Sequence, residues 1–133
     1  MVDRQERRAD VELRLPADGA YASVLRTTTA GLAARLDFTL DDIEDLRMAA
    51  GEAGAMVLER AEPGGDLVCA YHLAPGRLTM TLTVTADQPA DPDYESFAWQ
   101  VLSTLAADAS AEATPDAFTV SLTMESDLVA PGP

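Results

Sequence analysis

Apolar residues recur at helical spacing between Phe38 and Ala61, at Ile43, Leu46, Ala50, Ala53, Val57 and Ala61, so this stretch predicts a helix with one buried face. Thr39 and Asp42 have capping-box spacing, Phe38 can staple onto Ile43, and Pro63-Gly64-Gly65 ends the run. Upstream, Val11, Leu13 and Leu15 alternate with polar residues and predict a half-buried strand ending at Pro16. Tyr21 to Leu36 reads as a helix through Tyr21, Val24, Leu25, Leu32 and Leu36, with Thr27-Thr28-Thr29 lowering its propensity. Downstream, the apolar segments Leu67 to Leu73 and Leu78 to Ala86 flank Ala74-Pro75-Gly76-Arg77, a hairpin turn. Asp87 to Tyr94 has two prolines, three acids and no period, which predicts a loop. Phe97, Val101, Leu102 and Leu105 give a short helix face within Phe97 to Ala109, followed by a small-residue linker. Phe118, Val120, Leu122 and Met124 alternate with Thr119, Ser121 and Thr123 in a last strand.

Four strands and three helices follow. The economical arrangement is an α+β two-layer sandwich, with helices on one face of a four-stranded mixed or mostly antiparallel sheet. A single domain is expected over residues 11–126, between a flexible arm at 1–10 and a flexible tail at 127–133. The length of 133 residues and the 47% hydrophobic content suit one domain with a real core.

Charge changes the picture more than size does. Nine arginines, no lysine and 23 acids give a formal net charge of -14, and no basic residue follows Arg77. Such a chain repels phosphate backbones, so direct nucleic-acid binding is not expected; a basic protein is the electrostatic complement, although solubility alone also accounts for the charge. Neither a membrane span nor a signal-peptide run is seen, and a cytoplasmic protein is expected.

Cys69 lies inside an apolar run and reads as a small core residue, and one histidine, His72, cannot complete a zinc set with it. No metal site is expected. Asp87, Asp91 and Asp93 could meet a divalent cation but lack the calcium-loop pattern, so they read as a solvated acidic loop. GxxxxGK[ST] and GxGxxG are both missing. Trp99, the only tryptophan, is an anchor for either the core or an interface. Met48, Glu52 and Met56 form a stripe one turn apart on the long helix, with Glu52 either a solvated flank residue or a carboxylate facing a ligand.

DLRMAAGEAG at Asp45 to Gly54, FAWQVLSTLAAD at Phe97 to Asp108, and the order of elements from Val11 to Met124 carry a resemblance. The chain resembles the anti-sigma regulatory kinases of the RsbW type, in the GHKL (histidine-kinase-like) ATPase superfamily, especially their divergent actinobacterial forms. The resemblance implies a GHKL fold, a catalytic base at Glu52, and a sigma factor as partner, with an anti-anti-sigma antagonist and homodimerisation as further expectations. It also places ATP-site positions at Met56, where the family has a magnesium-binding asparagine, at Asp87, where it has an adenine-reading aspartate, and at Ser96 to Trp99, including Ser96 and Ala98, where it has a glycine-rich turn. A thioether is a poor ligand for a hard cation, and the missing glycines remove permissive backbone. These departures lead to the expectation of a sigma-sequestering protein with no cofactor, not an enzyme, in which Glu52 is a relic. An active Mg-ATP-dependent serine kinase acting on an anti-anti-sigma factor, with its metal site rebuilt from other carboxylates, is the alternative; an interaction module for another signalling protein is the third reading. Asp91, Asp93 and Glu95 are the candidate partner-binding acids.

Overall fold

The computed structural model describes residues 8–126. Its elements run β1 (Val11–Pro16), α1 (Ala22–Arg35), α2 (Leu40–Arg60), β2 (Asp66–Ala74), β3 (Arg77–Thr85), α3 (Phe97–Leu105), β4 (Asp108–Thr114) and β5 (Ala117–Glu125), with a 3-10 turn at Gly19–Tyr21 before α1.

The long helix forms where its caps direct it. Thr39 Oγ1 accepts from the Asp42 N–H at 3.1 Å, and the Asp42 carboxylate accepts from the Thr39 N–H at 3.2 Å, closing the capping box. Asp42 is buried and also accepts from the Ser126 hydroxyl at 3.2 Å, which ties the end of the last strand to the start of this helix. Between α1 and α2 the approach is close: a Cβ at Gly54 would stand 3.1 Å from Leu25 Cδ2.

The strands form one sheet in the order β1-β2-β3-β5-β4, with every neighbouring pair antiparallel. Alternation sorts its faces. Cys69, Tyr71, Met80, Leu82, Val84, Phe118, Val120 and Leu122 point into the core beneath the helices with Leu46, Ala50, Ala53 and Val57 of α2. On the opposite face, hydroxyl pairs follow the β3–β5 register: Thr79 with Thr123 at 3.0 Å, Thr81 with Ser121 at 3.2 Å and Thr83 with Thr119 at 3.2 Å.

This sheet corrects the sequence expectation of four strands in a mixed or mostly antiparallel sheet: it has five strands, and all its neighbouring pairs are antiparallel. The additional strand, DASAEAT, occupies the stretch expected to end a helix and enter a linker. It lacks β-branched residues apart from its final threonine, and its inward positions Ala109, Ala111 and Ala113 are too small to mark an apolar alternation. Its strand conformation comes from pairing with β5, from Asp108 opposite Thr123 to Thr114 opposite Ala117. The third helix correspondingly stops at Leu105.

Candidate functional site

A cleft of about 320 Å³ opens where the last turn of α2, the loop joining β3 to α3, the start of α3 and the inner face of β4 and β5 converge. Met56, Glu59 and Arg60 come from α2, Pro92 and Asp93 from the loop, Ser96, Ala98 and Trp99 from the start of α3, and Phe118 from β5.

Each wall follows from local structure. Ser96 caps α3 by accepting from the Trp99 N–H at 3.1 Å, which sets the first helical turn against the cleft. Trp99 is half-buried and meets Tyr94 edge to face, with ring centroids 4.9 Å apart. The Glu95 N–H donates to the Asp93 carboxylate at 3.0 Å, shaping the loop before that helix. Arg60 joins the walls: its guanidinium lies 4.1 Å from the Phe118 ring centroid and donates to the carbonyls of Ala90 (3.2 Å), Asp91 (3.2 Å) and Met56 (3.3 Å).

Several residues singled out from the sequence therefore share one place. Met56 lines the cleft together with Ser96 and Ala98, which follow it by 40 and 42 positions in the chain, and Asp93 joins them. Asp87 and Asp91 are exposed on the same loop without lining it, although the Asp91 carbonyl holds Arg60; Glu95 is exposed beside them. Glu52 does not line the cleft either. It lies one turn before Met56 on α2, about 6 Å along the axis, half-buried and with no side-chain partner among the described residues. The stripe it belongs to runs from solvent to core, since Met48 is 55% exposed and Met56 only 8%.

Arg60, Glu59 and Phe118 escaped the sequence reading. Arg60 was visible as the cation ending the long helix, but Phe118, 58 positions away, showed only a strand alternation. Cys69 and His72 lie away from the cleft, with Cys69 fully buried in the sheet. Burial pushes the Cys69 thiol up to about 12, outweighing the Tyr71 hydroxyl that favours its thiolate. No cluster of three or more histidine, cysteine or acidic side chains is arranged to hold a metal among the described residues.

The class defined by this architecture is a two-layer α+β domain with a ligand-sized cleft at one end of its helical layer. The chain is 35% identical over 88 residues to the serine-protein kinase RsbW of Halalkalibacterium halodurans, covering 65% of this chain and 52% of the relative. It is 33% identical over 94 residues to the serine-protein kinase RsbW of Bacillus cereus, covering 69% and 57%. The chain thus spans about half the length of these relatives. In fold it is similar to a crystal structure of the RsbU and RsbW domains of a Mycobacterium tuberculosis protein, with a TM-score of 0.66 and 19% identity, over 87% of this chain and 32% of that one. No protein-family model matches.

These findings connect the chain with RsbW-type regulators and correct a second expectation. The altered positions Met56 and Ser96 to Trp99 led to a reading against enzymatic activity, yet the relatives that the chain matches over 88 and 94 residues are named as serine-protein kinases. Loss of individual ligands is weak ground for that exclusion, because phosphoryl transfer depends on positioning and charge compensation that other side chains can supply.

Proposed function

We propose that this chain is an RsbW-like regulator that binds Mg-ATP in the cleft, phosphorylates a serine of an anti-anti-sigma protein, and holds a sigma factor. The similarity to serine-protein kinases over 88 to 94 residues carries this reading. The cleft supports it by setting the half-buried Trp99 ring beside polar groups at Ser96 and Arg60.

The metal arrangement differs from the one the resemblance implies. Met56 offers a thioether, which suits a hard cation poorly, whereas Mg²⁺ is held mostly by phosphate oxygens and water with one or two carboxylates. Glu59 and Asp93, the two acids lining the cleft, are the groups that would complete such a set. When bound, the metal ion neutralises phosphate charge. Glu52 is the candidate base: it takes the serine hydroxyl proton as the bond from serine Oγ to the γ-phosphorus forms and the bond to the β–γ bridging oxygen breaks, releasing ADP. Its uncommitted, half-buried carboxylate suits that role.

Glu52→Gln preserves size while removing basicity. Phosphate transfer from Mg-ATP to a serine-bearing anti-anti-sigma protein is expected to fall at least about 100-fold, the lower bound of the usual range for a general base, while nucleotide affinity changes less than about threefold. Transfer surviving in the variant would exclude Glu52 as the base, and no transfer by the wild-type protein to any anti-anti-sigma substrate would reject the kinase reading.

A further inference from the structure

Arg60 is the arginine that lines the cleft. Among the described residues, Arg14 pairs with Asp66 and Arg77 with Glu125, but the Arg60 guanidinium has no carboxylate partner. Three of its N–H groups are committed to main-chain carbonyls, those of Met56, Ala90 and Asp91. A guanidinium has five donors, so one N–H on each terminal nitrogen remains uncommitted. The Phe118 ring covers one face of the group and the carbonyls hold its orientation, so its charge is preorganised at the cleft wall.

We infer that Arg60 is the anion-holding residue of the cleft, engaging phosphate oxygens of a nucleoside polyphosphate with its two uncommitted N–H groups. This rests on the nucleotide reading above and deepens it by naming where phosphate charge is met. The planar fork favours paired oxygens, which a phosphate tail presents and a neutral nucleoside lacks. Ser96 adds a donor, since its oxygen accepts from Trp99 while its hydroxyl hydrogen has no acceptor among the described residues. Glu59 and Asp93 oppose an anion, but both are exposed, so water and salt screen their repulsion more than they screen the half-buried Arg60.

Trp99 is the only tryptophan and forms a wall of the cleft, so its fluorescence can report occupancy. The experiment titrates wild type, Arg60→Lys and Arg60→Met with Mg-ATP, adenosine and inorganic tripolyphosphate, with circular dichroism as the check of folding. Arg60→Met is expected to weaken ATP and tripolyphosphate at least about tenfold while leaving adenosine within about twofold, and Arg60→Lys to recover part of the loss, as expected for a charge-assisted contact. Equal losses for all three ligands would make Arg60 only a support for the loop and overturn the inference. Unchanged or tighter ATP binding in Arg60→Met would also overturn it while leaving the nucleotide reading intact. Wild-type protein that binds tripolyphosphate but not ATP would uphold the anion site and reject the nucleotide reading; binding neither would reject both. Should Arg60→Met fail to fold, Arg60→Lys together with the salt dependence of wild-type tripolyphosphate affinity decides: a weakened variant and affinity falling with salt support the site, and indifference to both rejects it.

Discussion

Tyr71 shows how one buried side chain can combine packing with a polar commitment. Its hydroxyl shares a 2.7 Å hydrogen bond with Thr29 of α1, and the Thr29 hydroxyl also donates to the Leu25 carbonyl at 2.8 Å, so sheet and helix are joined inside the core. Burial raises the Tyr71 phenol, with the neighbouring Cys69 adding to the shift, and burial likewise raises Cys69. Both groups therefore keep their protons in the folded chain at pH values where the unfolded chain releases them. Stability from this pair is fully present below about pH 9, the ordinary thiol range, and declines as pH rises toward the folded values. Urea midpoints measured from pH 7.5 to 10.5 should fall across that window, and Cys69→Val should flatten the fall. At neutral pH the thiol should also resist alkylation until the protein unfolds.

At the scale of elements, contact between α1 and α2 makes two neighbouring glycines unequal. Both lie inside α2, where replacing glycine by alanine gains about 0.5–1 kcal/mol when space allows. At Gly51 the added Cβ would meet Arg26 Cδ at 3.4 Å, an ordinary contact with a flexible side chain. At Gly54 it would meet Leu25 Cδ2 at 3.1 Å, and Leu25 is buried with little room to yield. Gly51→Ala should therefore raise the melting temperature, while Gly54→Ala should gain less or lose stability, as read by thermal unfolding of the two variants. The capping box at Thr39 and Asp42 was legible because its parts are three residues apart. The close approach at Gly54 was not, because the sequence does not state which helix lies opposite.

Across the whole molecule, the charge of -14 includes Asp91, Asp93 and Glu95, exposed on the loop that precedes α3. If these acids meet a basic sigma-factor surface, replacing all three by lysine should slow association at least about tenfold at low ionic strength. The difference should shrink toward physiological salt, where the Debye length is about 8 Å. Stopped-flow association at two salt concentrations checks this, and a loss confined to the dissociation rate would place the docking surface elsewhere. The same loop supplies the Ala90 and Asp91 carbonyls to Arg60, so its shape and the cleft are mechanically linked.

The sequence by itself determined α2 with its caps, the hairpin of β2 and β3, and the alternation of β1 and β5, because helix period, capping, turn chemistry and strand alternation are local properties of neighbouring residues. It also marked Met56, Ser96 and Ala98 through resemblance, without showing that they meet. Tertiary structure decided the fifth strand, since the alanines of β4 carry little strand preference and gain their ladder from β5. It decided the cleft for the same reason: Arg60, Trp99 and Phe118 are far apart in the chain, and only the packing of helix on sheet brings a guanidinium, an indole and a phenyl ring around one space.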